Sequence, residues 1–479
     1  MNNTYHRHIG PFSATMLIAG SMIGSGIFIV PAEMIRTGGT GVFLLLAWGL
    51  TAALTLLGAH SYGELAGMFP TAGGQFVYLK ESYGRLVAFL YGWTTFLIIE
   101  TGALAAVTMA FGKFLGTFLP AVSETRYLVG PLEVRALEVV PGIVVGPYHL
   151  GLTPARLAAI GVIVLLSVVN AYGGRIGVWI QNVFTVAKLG SLAALILVGL
   201  LAGAPAHPAG SGVPGTLPFL AALLVAQSGS LFSSDSWNSV TFIASEIREP
   251  RRSIPLALLV APLMVLGLYL LANTAYLRVL GPGGIASAAG DRVGTATLHA
   301  LFGPAGSRAM ALAILVSTFG CANGLVLAGS RLYQTMAADR LFFTSASRLN
   351  RFGVPAWAMG FQAAWACLLT LTGSYAQLLE FSMVAATLFY VLTVAGIFVL
   401  RRKRPTLERP VKIFAYPLPP LLYLAGALAF IVALLIYRPS YTWPGMALVL
   451  LGVPVYLAAF RDKHSFQAIC KRRWWNHQK

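Results

Sequence analysis

Charged residues are scarce in this chain. Only 10% of its 479 residues are Asp, Glu, Lys or Arg, whereas 57% are hydrophobic. A soluble globular protein carries about a quarter charged residues. With so few polar side chains the chain cannot cover a surface that faces water, and apolar runs such as 256–271 and 421–436 indicate a surface that faces lipid. The composition therefore predicts an integral membrane protein, and we expect it in the plasma (inner) membrane.

Cysteine and histidine are also few. The three cysteines, Cys321, Cys367 and Cys470, fall in predicted helices or in the C-terminal tail, so no disulfide framework is predicted. The eight histidines are scattered, without the paired spacing that holds a metal ion, and no nucleophile stands near a base. No ring of filter residues typical of an ion channel is present. We therefore expect neither an enzyme nor a channel, and no cofactor.

Acidic residues are outnumbered, and the net charge of +18 is distributed unevenly. Basic residues lie in short loops between apolar runs, as at 401–404, and in the C-terminal tail at 471–473. That bias is typical of cytoplasmic loops and predicts that both termini are cytoplasmic. A basic stripe on a folded soluble face is missing, so no nucleic-acid partner is expected. The first apolar stretch has no small-residue cleavage site and is predicted to be a spanning helix.

Twelve apolar segments are long enough to cross a bilayer. Several exceed the ~20 residues that a crossing requires, which indicates tilt or interruption rather than additional spans. The longest predicted outer loop covers about residues 119–153. The segments are 12–36, 41–66, 85–118, 154–172, 178–203, 217–246, 254–277, 297–337, 355–373, 376–400, 416–437 and 441–460.

Two of these segments carry a weak point at mid-membrane depth. In the first, glycines flank a serine at Gly24, Ser25 and Gly26; in the sixth, polar residues crowd positions 230–238. Glycine weakens a helix, and polar residues in a span are costly unless they line a cavity. Taken singly, each could instead be close packing or interhelical hydrogen bonding.

The spacing of the two weak points predicts an inverted repeat. They lie at corresponding places in two blocks of five spans, and because five is odd the second block enters the membrane from the opposite side. A broken helix leaves free N–H groups at one end and free carbonyls at the other, with partial charges that suit a carboxylate and an ammonium. A free amino acid carries both groups. The pattern therefore predicts a midplane site for an amino acid.

Several motifs in order make the chain resemble the amino acid–polyamine–organocation superfamily, and within it the bacterial type of the L-type amino-acid transporter branch. The resemblance covers nearly the whole chain. The motifs are GSGIF at 24–28, SYGEL at 61–65, PTAGGQ at 70–75 with Tyr78, EIREPRRSIP at 246–255, Asn323-Gly324 with Ser330-Arg331, and LRRKRPTLERP at 400–410.

The resemblance implies an all-α polytopic fold of about twelve transmembrane helices. It is the LeuT-like five-plus-five inverted repeat with discontinuous helices 1 and 6 and two trailing helices. The implied bounds are a cytoplasmic tail at 1–11, a first repeat at 12–203, a second at 217–400, two added helices at 416–460 and a basic cytoplasmic tail at 461–479.

The resemblance also implies a substrate site on the two broken helices. Backbone N–H groups of the first break would bind the substrate carboxylate, and carbonyls of both breaks would bind its ammonium. Phe232 falls where the family places an aromatic gate. The implied donors are Ser25, Gly26 and Ile27, and the implied acceptors are Met22, Phe232, Ser233 and Asp235.

Lys188 is a charged residue inside the fifth segment. The family places a lysine here in sodium-independent members, where its ammonium replaces the ion of sodium-coupled relatives and bridges helices 1 and 8. Snorkelling to the inner face is the alternative explanation. The resemblance thus implies a sodium-independent exchanger of neutral amino acids that works by alternating access. Proton-coupled uptake of cationic amino acids or polyamines is the alternative.

Asp235 and its neighbours leave the cargo open. The carboxylate could pair with a cationic substrate side chain, or it could cap a helix end or pair within the protein. Ser234 and Ser236 stand where the family commonly has an aromatic residue and a glycine, which affects the size and polarity of the pocket. Glu100 is a further acid whose partner the sequence does not name. Animal members join a heavy chain through a cysteine in the loop after helix 3; residues 119–153 contain none, so no disulfide-linked partner is expected.

Overall fold

The computed structural model describes residues 5, 7–135, 137–140, 143–145, 148–202, 215, 217–372 and 375–460. The predicted basic tail at 461–479, with Cys470, lies outside the described residues, as do residues 1–4. Fifteen α-helices make up most of the described chain. They are α1 (Pro11–Met22), α2 (Gly26–Gly38), α3 (Gly41–Met68), α4 (Gln75–Tyr83), α5 (Arg85–Thr94), α6 (Glu100–Leu115), α7 (Pro154–Ala171), α8 (Gly174–Leu201), α9 (Phe219–Ser233), α10 (Pro250–Ala286), α11 (Val293–Ala338), α12 (Ala356–Thr372), α13 (Tyr375–Lys403), α14 (Leu418–Tyr437) and α15 (Pro439–Phe460).

Short helical and extended segments complete the secondary structure. A π-helix at Thr95–Ile99 joins α5 to α6, and 3₁₀ helices occupy Ser239–Glu246, Ala289–Asp291 and Thr344–Ser347. The predicted outer loop contains strands that the sequence had not indicated. Antiparallel pairing joins β1 (Val129–Val134) to β4 (Tyr148–Leu152), and β2 (Leu137–Val140) to β3 (Ile143–Val145).

The helices have the lengths that a membrane protein requires. Within the described ranges, nine helical segments are long and apolar enough to cross a bilayer, and α1 with α2 forms one further span bent by 42°. Two shorter apolar helices, α9 and α12, coincide with the sixth and ninth predicted segments. The predicted fold class, an all-α polytopic membrane protein with a discontinuous first helix, is confirmed. The count of twelve crossings and the bounds of the two repeats remain predictions.

The first helix is interrupted where glycines flank Ser25. α1 ends at Met22, Ile23 adopts an extended conformation, and α2 begins at Gly26. A Cβ atom on Gly26 would lie 2.1 Å from the Ser233 Oγ and 2.9 Å from its Cα. Only glycine therefore lets the start of α2 approach the end of α9 this closely.

The sixth predicted segment is interrupted as well. α9 ends at Ser233, and a 3₁₀ helix resumes at Ser239 after an irregular stretch. Within that stretch Ser236 has a φ of 66°, in the left-handed region. A residue with a Cβ atom adopts this conformation at a cost of about 1–2 kcal/mol. Ser236 thus adopts a backbone conformation that a glycine would adopt without this cost.

Buried ion pairs join motifs that are distant in sequence. Glu64, which is fully buried, accepts a hydrogen bond of 2.6 Å from Arg401 and lies 3.6 Å from the Arg409 guanidinium. Glu246 is paired with Arg331 at 2.8 Å, and both side chains are almost wholly buried. A charge is retained in such surroundings only when it is paired, so each motif charge depends on its partner in another motif.

Contacts restrain the broken helices at both ends. At the predicted cytoplasmic end, the N–H groups of His8 and Ile9 donate to the Glu246 carbonyl. At the other end, the Arg36 guanidinium on α2 lies 2.8 Å from Asp291 and donates to the Ala286 carbonyl. These contacts tie the N-terminal segment to the end of the 3₁₀ helix after the second break, and α2 to the segment that follows α10.

Candidate substrate site at the helix breaks

Lys188 on α8 reaches the break in the first helix. Its side chain is 1% exposed, and its ammonium donates to the carbonyls of Gly20 at 2.7 Å, Ile23 at 2.9 Å and Ser317 at 2.9 Å. Gly20 and Ile23 belong to the first broken span, and Ser317 belongs to α11, the eighth predicted segment. The ammonium therefore joins helices 1 and 8 in the membrane interior, and the side chain does not extend to the inner face.

Side chains of α11 donate further hydrogen bonds to carbonyls of the first break. The Ser317 hydroxyl donates to the carbonyls of Ile23 at 3.0 Å and Gly24 at 3.1 Å, and the Cys321 thiol donates to the Ser21 carbonyl at 2.9 Å. Backbone groups inside a membrane must find partners within the protein. α11 thus supplies the hydrogen-bond donors that allow the first helix to be interrupted inside the membrane.

Tyr269 on α10 connects the two breaks directly. Its hydroxyl lies 3.1 Å from the Met22 carbonyl and 3.0 Å from the Ser233 carbonyl, and the side chain is fully buried. These are two of the carbonyls that the resemblance implies for the substrate ammonium. In this structure the Tyr269 hydroxyl therefore lies where the resemblance implies that the substrate ammonium would donate its hydrogen bonds.

The start of α2 lies against the end of α9. The first turn of a helix has N–H groups without acceptors in the helix, and the partial positive charge there favours a carboxylate. Ser25 precedes α2, and Gly26 and Ile27 are its first two residues. A Cβ atom on Gly26 would clash with Ser233, so the two breaks lie side by side.

Phe232 and Asp235 extend from the second break in different directions. Phe232 is half-buried and packs against the α6 residues Ala105 and Ala106. The Asp235 carboxylate accepts a hydrogen bond of 2.6 Å from Tyr390 on α13. The structure therefore brings the Met22 and Ser233 carbonyls together at Tyr269, with Gly26 beside Ser233. The side chains of Phe232 and Asp235 extend from there towards α6 and α13.

A chain of polar side chains continues from Asp235. The Tyr390 hydroxyl lies 3.3 Å from the Asn238 side-chain oxygen, the Asn238 amide donates to Gln75 at 3.0 Å, and the Gln75 amide donates to Thr393 at 3.0 Å. Gln75 is the last residue of the PTAGGQ motif, so the motif was a signal for this series of hydrogen-bonded side chains. Sequence reasoning missed Tyr269 and Tyr390, because each is one of 18 tyrosines and neither stands in a motif.

Comparison with known proteins identifies the family. A family model described as "Amino acid permease" matches residues 9–459, nearly the whole chain. The chain belongs to the amino acid permease family. The predicted superfamily and branch are thereby confirmed, and with them amino-acid transport across a membrane as the class of activity. The permease family consists of transporters, and this member is a multi-pass membrane protein.

Three relatives show how far the similarity extends. The permease is 28% identical over 469 residues to the serine/threonine exchanger SteT of Bacillus subtilis, with 97% of this chain and 99% of that protein covered. It is 28% identical over 467 residues to mouse b(0,+)-type amino acid transporter 1, covering 95% and 88% of the two chains. It is 28% identical over 465 residues to human large neutral amino acids transporter small subunit 2, covering 96% and 81%.

Proposed function

We propose that this permease exchanges amino acids across the plasma membrane by alternating access and does so without sodium. Lys188 is the observation that carries the proposal. Transporters with broken helices bind their coupling sodium ion through carbonyls of unwound backbone. Here an ammonium already bonds three such carbonyls, on the first broken span and on α11. A fixed cation at this place removes the need for a sodium ion.

The substrate site is proposed at the two breaks within a five-plus-five inverted repeat. Ser25, Gly26 and Ile27 offer N–H groups to the carboxylate, as the start of a helix favours an anion. The ammonium binds carbonyls at the ends of α1 and α9, in competition with the Tyr269 hydroxyl. Phe232 acts as the gate between α9 and α6. The proposed ammonium acceptors are Met22, Phe232, Ser233 and Asp235.

Neutral amino acids are the proposed cargo. SteT is by its name a serine/threonine exchanger, and it matches this chain almost from end to end. The irregular stretch after α9 is rich in hydroxyl groups here, with serines at 234 and 236. We further propose that both termini are cytoplasmic and that no disulfide-linked heavy chain is needed, since residues 119–153 contain no cysteine.

Proton-coupled uptake of cationic amino acids or polyamines is the second candidate. Asp235, which is partly buried and whose partner is a tyrosine and not a cation, is the observation that favours it. A carboxylate in this position could pair with a cationic substrate or take up a proton.

One experiment separates the two candidates. The purified protein is reconstituted in liposomes loaded with unlabelled amino acids, and uptake of labelled alanine, leucine, arginine and glutamate is followed with and without sodium or a pH gradient. Uptake that requires internal amino acid and ignores both ions supports the exchanger. Uptake into empty liposomes driven by an inward proton gradient overturns it in favour of the symporter.

A further inference from the structure

Glu100 is a buried acid that the proposed substrate site does not use. It is the first residue of α6, directly after the π-helical turn at Thr95–Ile99, and it is 7% exposed. Its Oε1 atom has no hydrogen-bond partner among the described residues. π-helical turns are frequent at functional sites, and a buried polar atom without a partner requires an explanation.

Gln362 on α12 presents a second oxygen without a partner. Its side chain is 1% exposed, and its amide nitrogen donates to the Leu325 carbonyl at 3.1 Å, whereas its Oε1 atom accepts no hydrogen bond from the described residues. Gln362 and Glu100 pack against the same glycine on α11: a Cβ atom on Gly329 would lie 2.8 Å from the Gln362 Nε2 and 2.8 Å from the Glu100 Cγ. An amide oxygen and an ionised carboxylate only accept, so a hydrogen-bond donor is missing here. A protonated Glu100 carboxyl supplies one.

Glu100 also lines one pocket together with Asp235. The pocket has room for about one water molecule, so no organic cation fits between the two acids. No Lys, Arg or His of the described residues lies within 4.0 Å of either carboxylate, although the buried Glu64 and Glu246 each have an arginine partner. The ammonium of Lys188 is bound to three carbonyls. Two carboxylates that share a buried site repel each other when both are charged, so one of them takes up a proton.

The hydrogen bonds decide which of the two acids carries the proton. Asp235 accepts from the Tyr390 hydroxyl at 2.6 Å and from the Ser236 N–H group, whereas Glu100 accepts from no described residue. Donors stabilise a carboxylate, so the charge stays on Asp235 and the proton on Glu100. The other titratable groups around Glu100 are phenols and a thiol, which are neutral at neutral pH. They are Tyr91 on α5, Tyr390 on α13, and Tyr333 and Cys321 on α11.

We propose that Glu100 is a proton-binding site whose proton is retained during exchange and is required for it, while Asp235 stays ionised. The inference goes beyond the proposed function, which gives Glu100 no role, and it rests on that function only for the transport assay. Loss of the proton places two negative charges in a buried pocket without a base. That repulsion destabilises the packing of α6 against the stretch that follows α9.

The pH dependence of exchange in Glu100→Gln tests the proposal. Uptake of labelled alanine into alanine-loaded liposomes is measured from about pH 6 to about pH 9, with the same pH on both sides. Glutamine resembles the neutral acid at every pH, so at about pH 6 the variant should exchange within about threefold of the wild-type rate. Over the range, the ratio of the variant's rate to the wild-type rate should rise by about tenfold or more, because only the wild type loses the proton. Lys188 is present in both proteins, so its titration cancels in the ratio.

Controls and outcomes separate Glu100 from other titrating groups. Glu33→Gln removes an exposed carboxylate on α2, and its ratio to the wild type should stay constant over the range. A constant ratio in Glu100→Gln overturns the proposal, as does a folded Glu100→Gln that exchanges at no pH. Sodium that restores wild-type exchange at about pH 9, where choline does not, assigns the pocket to a metal cation and overturns the proposal too.

A second measurement does not depend on transport. If the wild type exchanges no alanine at all, the proposed function fails, and the proton is then detected by infrared spectroscopy of the purified protein. A carbonyl band of a protonated carboxyl group in the wild type at about pH 6, absent from Glu100→Gln, supports the proton site; identical spectra overturn it. If Glu100→Gln does not fold, Glu100→Met replaces it. Methionine is also neutral at every pH, so the same rise in the rate ratio and the same missing band are expected.

Discussion

The Lys188→Ala variant tests how much transport depends on the ammonium at the first break. The substitution removes three hydrogen bonds, to the carbonyls of Gly20, Ile23 and Ser317. The Ile23 oxygen keeps the Ser317 hydroxyl, and the Ser317 carbonyl lies inside α11, where it keeps its helical N–H donor. The Gly20 carbonyl is therefore left without a donor, and a buried polar group without its partner costs about 1–3 kcal/mol.

The substitution therefore destabilises the interrupted conformation of the first helix, which the proposed site requires. Every 1.4 kcal/mol is a factor of ten, so a cost of about 2 kcal/mol, the middle of this range, predicts that exchange at low substrate concentration falls by about 30-fold. The assay is uptake of labelled alanine into alanine-loaded liposomes, with sodium and with choline as the cation. Sodium should stimulate the variant and not the wild type, because the carbonyls freed by the substitution suit that ion.

The matched control is Lys412→Ala, which removes an exposed lysine before α14 and should leave the rate unchanged. Transport by Lys188→Ala at the wild-type rate would refute the reasoning, since the ammonium would then contribute nothing to the functional conformation. A rate that falls equally in Lys188→Ala and Lys412→Ala would refute the assignment to the helix break.

Three further variants test other parts of the site. Tyr269→Phe should lower the KM for alanine about fivefold, because it removes a competing hydrogen bond worth about 1 kcal/mol; a raised KM in the exchange assay would contradict this. Ser236→Gly should keep or raise the thermal midpoint, whereas Ser236→Val should lose about 1–2 kcal/mol, because a β-branched residue fits the left-handed region poorly; equal midpoints would show that the backbone there is unstrained. Arg331→Met should lose about 3–5 kcal/mol by leaving Glu246 unpaired, and the double variant with Glu246→Gln should recover part of the loss; additive losses in thermal unfolding would contradict a coupled pair.

Sequence reasoning predicted the positions of the helices well because lipid imposes a simple rule. Each crossing needs a long apolar run, and composition displays such runs directly. The predicted segment 41–66 became Gly41–Met68, and 416–437 became Leu418–Tyr437. The break in helix 1 was readable for a related reason, since glycine at Gly24 and Gly26 marks a weak helix.

Contacts between side chains distant in sequence were beyond prediction. The sequence named Lys188, and only the fold shows which carbonyls it bonds. The sequence singled out Glu100 as an acid whose partner it does not name, and the pocket that Glu100 and Asp235 both line exists only because α6 and the stretch after α9 lie close together. Tyr269 carried no signal, because a tyrosine in an apolar helix resembles any other lipid-facing or packed aromatic residue.

The sequence by itself determined that this protein spans a membrane, that its first and sixth helices are interrupted and that it belongs among amino-acid transporters. Those properties follow from composition, local backbone preference and motif order, which can be read directly from the order of the residues. Only the tertiary structure decided that Tyr269 joins the two breaks, that Lys188 bonds the carbonyls of Gly20, Ile23 and Ser317, and that Glu100 and Asp235 line one pocket. The reason is physical: hydrogen bonds and charge interactions act over a few ångströms, and the groups involved lie up to 247 residues apart in the chain.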